Sequence, residues 1–378
     1  MTQRLLFLSN LFPTAAEPYR GLDNATLLHA LALHLEIRVL SPRPVLPWVP
    51  RSFVARPEDA ALQPRWVRSA YLPKIGGPVN HRLMAASLRH EFEQTLRAFN
   101  PNVILSSWIY PDSCAALRLA NGRIPVVAIA QGSDIHQYLG MPCRRGVILR
   151  YLPRAAAVIT RSRDLSRILE RAAFPPEKLR TVYNGVCLET FQPRDQASAR
   201  RESGLPTAGR VILFVGNFYA VKNPLLLIRA AAQIPSAMLV MAGGGPLEAS
   251  CRALATQFGA TSRVLFVGRK NPREIAGLMN AANLLALPSE NEGVPNVLLE
   301  AVASGLPVVA SRVGGVPEVL EHDFLGQMAP AGDLPALVAA LENQLASRHD
   351  SAAIRRHAER FSWDAAAAQY RDILLAAR

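Results

Sequence analysis

The chain has 378 residues, half of them apolar, and a formal net charge of +13. That length exceeds one ordinary core and implies about two domains of roughly 100–200 residues each, while apolar runs as short as Val126–Ala130 and Val211–Val215 exclude a membrane-spanning helix of roughly 18 residues. The Leu5–Leu8 run meets Ser9 and Asn10 too early for a secretory leader, so the expectation is a soluble, cytoplasmic protein.

Strand-length apolar runs alternate with amphipathic stretches of helix length, the pattern of parallel sheets joined by crossover helices. In the first half, strands are expected at Arg4–Ser9, Glu36–Leu40, Asn102–Ser106, Pro125–Ala130, Ala156–Thr160 and Leu179–Tyr183, with helices such as Leu22–Leu35 and His81–Phe99 between them. Ser41–Pro78, rich in proline, arginine and tryptophan, reads as an irregular surface excursion. Asn184–Gly185 marks a turn and places a linker near 185–195. In the second half, strands are expected at Val211–Val215, Met238–Ala242, Arg263–Val267, Asn283–Leu287 and Pro307–Ser311. The tail carries Phe361, Trp363, Ala366, Tyr370 and Leu374, a helical stripe that needs a partner surface. The fold class is α/β, with two doubly wound parallel sheets, and ligands are expected outside the carboxyl ends of the strands.

The positive charge is uneven: 24 of the 42 basic residues but 13 of the 29 acidic ones precede residue 191. Arginine supplies nearly all of it, a bias that genome composition produces as readily as function. Functionally, it would attract an anionic surface, each basic group contributing about 1 kcal/mol at an anionic membrane. The basic residues are dispersed, without an aromatic-interleaved stripe, so nucleic acid is not an expected partner. The four cysteines lack CxxC spacing and the eight histidines form neither HxxxH nor HExxH; free thiols and no protein-held metal are expected.

Three segments carry candidate chemistry. Gly216 and Asn217 follow a strand, and Lys222 lies just before a helix that Asn223 caps and Pro224 begins, a placement suited to a diphosphate. Gly243–Gly244–Gly245–Pro246 opens another helix after a strand, as a phosphate loop or merely a tight turn. In Pro288–Ala301, Glu292 sits in a glycine-containing loop and Glu300 about a turn and a half into the next helix. Backbone N–H groups near Asn296 and Val297 would face a ligand phosphate. Glu300 is flanked by Leu298, Leu299, Ala301 and Val302, where a buried carboxylate is costly alone, so a hydrogen-bonding partner is expected for it.

The E-x7-E pattern of Glu292 and Glu300, followed by Gly305–Ala310 and Gly314–Gly315–Val316–Pro317–Glu318, resembles the signature of retaining family 4 glycosyltransferases of the GT-B fold. Val182–Val186, Phe214–Lys222, Ala242–Pro246 and Phe361–Trp363 resemble further motifs of that family, so that the likeness covers residues 180–378. Asn10–Pro13 with Gly21, and Gln131–Gly132–Ser133–Asp134, resemble its N-terminal loops, although one glycine of a usual pair is present and Gln131 and Asn217 stand where the family carries cations.

The resemblance implies two Rossmann-like domains facing across a cleft: an acceptor domain over 1–188, with the helix 363–378 packing back on it, and a nucleotide-sugar domain over 189–362. It implies Glu292, Lys222 and Asp134 as catalytic. Gly216, Asn217, Lys222, Gly244, Gly293, Val294, Asn296, Val297 and Glu300 would bind the donor. Gly21, Gln131, Gly132 and Ser133 would form the acceptor or phosphate loop. Glu292 and adjacent N–H groups would hold the sugar, Glu300 the ribose, and Lys222 the diphosphate. No permanent cofactor or metal is implied. A UDP- or GDP-sugar is the expected donor of a hexose-type sugar, and a lipid-linked or saccharide acceptor is expected at the inner face of the plasma membrane, in cell-surface polysaccharide or glycolipid synthesis. A glycoside hydrolase would need both acids flanking one glycosidic bond. A sugar-nucleotide epimerase and a catalytically silent binding subunit are the other readings.

Overall fold

The computed structural model describes residues 3–44 and 53–377. The chain divides into two compact units: Met1–Asn184 together with Trp363–Arg378, and Gly185–Ser362.

The N-terminal unit is built on β1 (Arg4–Leu8), β2 (Glu36–Pro44), β3 (Pro64–Ser69), β4 (Val103–Ser107), β5 (Val126–Ala130), β6 (Ala157–Thr160) and β7 (Leu179–Thr181). They form one sheet in the order β3-β2-β1-β4-β5-β6-β7, parallel throughout. Parallel strands are covered on both faces and therefore read as continuous apolar runs; Leu5, Leu6, Phe7 and Leu8 are all fully buried. One face packs with Met84, Leu88 and Phe92 of the helix Asn80–Phe99, the other with Ala25, Leu28 and Leu31 of the helix Leu22–Ala32. The last helix, Trp363–Ala376, joins that second face through Ala366, Ala367, Tyr370 and Leu374.

The segment Ser41–Pro78 is more ordered than its composition suggests. β2 runs on to Pro44, with Ser41 and Arg43 buried, and Pro64–Ser69 adds the edge strand β3. Proline is tolerated at the first position of an edge strand, and the exposed arginines of β3 hide its periodicity. Residues 45–52 of that segment lie outside the described residues.

The C-terminal unit carries β8 (Arg210–Val215), β9 (Ala237–Ala242), β10 (Val264–Gly268), β11 (Leu284–Leu287), β12 (Val308–Ser311) and β13 (Gly326–Ala329). Their order is β10-β9-β8-β11-β12-β13, again parallel. β13, Gly-Gln-Met-Ala, is an edge strand without an apolar run and escaped the reading of the sequence. In each sheet the winding reverses once, between β1 and β4 and between β8 and β11. The loops after those four strands are where a doubly wound sheet opens to ligand.

Candidate functional site

In the C-terminal unit the two switch-point loops are stitched together. The loop after β8 closes in a turn, Ala220–Lys222, and Asn223, at φ 46°, caps the helix Pro224–Ala232 by accepting from Leu226 N at 3.3 Å. The loop after β11 reaches back: Glu290 N donates to Val221 O at 2.8 Å, and Asn223 Nδ2 donates to Glu290 Oε1 at 3.2 Å. Lys222 Nζ thereby meets Glu292 Oε1, which also accepts the hydroxyl of buried Ser289 at 2.8 Å. The Glu292 side chain is 10% exposed and that of Lys222 29%.

Two neighbouring loops brace this pair. Gly315 N donates to Gly293 O at 3.0 Å, and Gly314, at φ +50°, lies so close that a Cβ would run into the Glu292 carbonyl oxygen. Gly216 N donates to Ala242 O at 3.0 Å and Phe218 N to Gly244 O at 3.1 Å, bringing Gly243 against Gly216 and Gly244 against Phe218. Asn217 is exposed and Val294 buried.

The helix Asn296–Ala303 starts after Pro295 and points its amino end, at Asn296 and Val297, into the loop that carries Glu292 and Gly293. The helix dipole and the amides of its first turn favour an anion there. Glu300 lies on the same helix between fully buried Leu299 and Ala301. Burial pushes its carboxyl up to about 7. The protein partner expected for it is absent: among the described residues no group hydrogen-bonds its carboxylate. A desolvated acid with open hydrogen-bonding capacity is a ready acceptor for ligand hydroxyls.

The N-terminal unit carries a second polar cluster at its own switch point. Gly21, at φ +68°, packs its Cα onto the Leu11 carbonyl, where a Cβ would collide, and precedes the helix Leu22–Ala32. Asn24 on that helix is a hub: its Oδ1 accepts from Ser107 Oγ at 3.1 Å, Gln131 Nε2 at 3.0 Å and Arg161 Nη2 at 3.3 Å. Arg161 is buried and pairs with Asp23 at 3.0 Å. The amide of Gln131, which also donates to Ser107 Oγ, is thus held inside the unit.

Asp134 is fully buried, and its carboxylate accepts from Ile109 N at 2.8 Å, Gln131 N at 3.0 Å and Gly132 N at 2.8 Å. Burial raises it to about 6 against the pull of those N–H groups. Such a carboxylate shapes the turn Gln131–Gly132; Ser133 stands exposed beside it.

Sequence reading missed Asp112, Ser289, Arg20 and Arg161. Asp112, fully buried after β4, accepts from Asn10 Nδ2 at 2.9 and 2.8 Å, while Arg20 Nη2 donates to Asn10 Oδ1 at 2.9 Å. Burial moves the Asp112 carboxyl up to about 7. Its place after a switch-point strand was the available signal.

The chain is similar in sequence and in fold to known proteins. The family described as glycosyl transferases group 1 matches residues 195–361, and that described as glycosyltransferase family 4 matches residues 26–190. D-inositol 3-phosphate glycosyltransferase of Mycobacterium tuberculosis is 33% identical over 229 residues, 57% of this chain and 48% of that protein. The chain spans about half the length of the curated relatives it matches. Among solved structures, sucrose-phosphate synthase from Thermosynechococcus elongatus is 23% identical with a TM-score of 0.78, all of both chains being covered. HepE of Anabaena in complex with UDP is 20% identical with a TM-score of 0.78, again over the whole of both chains. Its complex with UDP-glucose gives a TM-score of 0.75 at 20% identity, with the same coverage. These likenesses show the fold, the two-sheet GT-B class.

Proposed function

Since the chain belongs to glycosyltransferase family 4, we propose that it transfers a hexose-type sugar from a nucleotide-diphosphate sugar to an acceptor hydroxyl with retention of anomeric configuration. The observation that carries this reading is the meeting of Lys222 and Glu292 at the strand ends of the C-terminal unit, in the loop before the helix that carries Glu300, whose carboxylate has no hydrogen-bonding partner among the described residues. Glu300 accepts hydrogen bonds from the ribose, Glu292 and the N–H groups of Gly293 and Val294 hold the sugar, and Lys222 with the helix end at Asn296 and Val297 takes the diphosphate. The bond from the anomeric carbon to the phosphate oxygen breaks as the bond to the acceptor oxygen forms on the same face. The departing phosphate takes the acceptor proton, so no protein nucleophile is used. A preorganised cation and helix end lower the barrier by stabilising charge that grows on the leaving group. No metal is needed for this step.

The complexes of HepE with UDP and UDP-glucose support a uridine donor. In the N-terminal unit, the cluster around Asn24, Gln131 and Arg161 is the proposed acceptor side, with Asp134 positioning the Gln131–Gly132 turn rather than touching substrate. The same unit exposes Leu72, Ile75 and Met141. Gly77 lies against Cys143 and Arg144, which brings the turn carrying Lys74 and Ile75 beside the helix start carrying Arg144 and Arg145. Apolar tips ringed by cations suit an anionic membrane surface, and among the described residues no helix is long and apolar enough to cross a membrane. A lipid-linked acceptor in cell-surface glycan synthesis at the cytoplasmic face fits that surface.

The test is release of nucleoside diphosphate from UDP-, GDP- and ADP-sugars, with and without saccharide and lipid acceptors. Turnover of one donor, lost in Lys222→Ala, supports the reading. Tight donor binding without turnover under any acceptor makes the chain a nucleotide-sugar-binding subunit instead.

A further inference from the structure

Spacing along the chain gave no metal-binding pattern, yet folding assembles one in the C-terminal unit. Glu321 and His322 lie in the loop after the turn Val316–Glu318, and His357 lies on the helix Ser351–Ala358. Each offers one ligand atom, and these atoms lie within 4.8 Å of one another. Glu321 Oε1 is 3.8 Å from His322 Nε2. We propose that Glu321, His322 and His357 form a binding site for a divalent transition metal, zinc in the first instance.

The donor set is two imidazoles and one carboxylate, which suits a borderline ion and leaves a position for water. Ligand atoms around tetrahedral zinc lie roughly 3.4 Å apart, so the side chains must draw in by about an ångström. Glu321 at 39% and His322 at 56% exposure are free to do so. The outer contacts that orient metal ligands are already in place. His357 Nε2 lies 3.2 Å from the Val319 carbonyl, so that nitrogen carries the proton and Nδ1 keeps its lone pair. Arg360 donates to Glu321 Oε1 at 2.7 Å and steadies the carboxylate beside the two rings. The two rings already neighbour each other: His357 stands edge-on to His322 at 5.7 Å, His322 stacks on exposed Phe324 at 5.5 Å, and His357 lies against Phe361 at 6.0 Å. A bound ion would tie the segment beyond the Gly314–Gly315 brace to the helix Ser351–Ala358. The Arg360 charge opposes it, so affinity should fall below that of a thiolate site.

The experiment is a calorimetric titration of zinc into the tag-free full chain, its Cys143→Ser/Cys187→Ser variant, and His322→Ala and His357→Ala made in that background. Cys143 is exposed and Cys187 half-buried, so both thiols must be removed as competitors. The expected result is one zinc per chain in the thiol-free variant, with Kd at least about tenfold weaker in each histidine variant. Far-UV circular dichroism establishes that the variants are folded. No stoichiometric heat in the thiol-free chain, or equal affinity in the folded histidine variants, overturns the site.

Discussion

Lys222 and Glu292 are paired through one carboxylate oxygen: Glu292 Oε1 accepts both the Lys222 ammonium and the Ser289 hydroxyl. The cation proposed for the diphosphate and the acid proposed for the sugar therefore set each other's position. Removing either leaves the other partly buried without its counter-charge.

Lys222→Ala and Glu292→Gln should each lower kcat/KM by about 10²–10³, the usual scale for losing one preorganised electrostatic contact. Because the two act as a pair, the double variant should lose far less than the product of the single losses. Donor-consumption kinetics on all four proteins check this; fully multiplicative losses would separate the two residues.

Glu300 gives a pH signature. Desolvation at its half-buried position pushes its carboxyl up to about 7 from an ordinary 4.5. Ribose hydroxyls bind best to the ionised form, so donor affinity should weaken as pH falls from about 8 to 6, and Glu300→Gln should flatten that profile. The folded state holds a proton between about 4.5 and 7 that the unfolded state has released, so this group's contribution to stability is lost as pH rises through that window. Glu300→Gln should accordingly stabilise the chain at pH 8, by about 1–3 kcal/mol, while binding donor less well.

Asp134→Ala should destabilise the N-terminal unit by about 2–5 kcal/mol, since three backbone N–H groups lose their acceptor. Denaturant unfolding measures this, and UDP affinity should stay unchanged because the proposed donor residues all lie in the other unit. Full stability with lost turnover would instead give Asp134 a role on the substrate.

Most strands and the positions of Lys222, Glu292 and Glu300 were legible in the sequence because buried parallel strands are apolar throughout and their loops begin where those runs stop. β3 and β13 were not: exposed arginines interrupt Pro64–Ser69, and Gly326–Ala329 is short and mixed, so neither shows an apolar run. The Lys222–Glu292 contact joins loops after different strands, which periodicity cannot reveal. Nor could local hydrophobicity foretell that Glu300 lacks a partner, since it reports burial and not the groups that face a side chain. Asn24 as a hub for Ser107, Gln131 and Arg161 depends on three strand ends converging, a property of strand order.

His81 predicts acid sensitivity in the N-terminal unit. Its ring packs edge-on to Tyr151 at 5.0 Å and near Tyr110 at 6.1 Å, with both nitrogens buried and unpaired. Burial, and then Arg82, Arg118 and Arg150, push it down to about 4. Between about 6.5 and 4 the unfolded chain binds a proton that the folded chain does not, so stability falls as pH drops through that window. His81→Phe should remove about 1–3 kcal/mol of that fall, read as the difference between variant and parent unfolding curves at pH 7 and pH 4.5.

The apolar and cationic tips of the N-terminal unit should sediment with phosphatidylglycerol vesicles at low salt and release as ionic strength rises past about 0.15 M. Ile75, 79% exposed, is the natural probe: Ile75→Asp should weaken vesicle binding and leave UDP affinity unchanged. Equal sedimentation of parent and variant would remove this surface from the account.

The central claim, that the C-terminal unit is a nucleotide-sugar site, is tested most directly by thermal-shift titration of the parent chain and Glu300→Ala with UDP, GDP, ADP and their sugar conjugates. A ligand bound only by the folded chain stabilises it by about 2.7 kcal/mol at a hundredfold excess over Kd. Tm should rise with one nucleotide family, uridine first, and the rise should be lost in Glu300→Ala. No shift from any nucleotide in a folded parent chain, or an equal shift in the variant, would contradict it.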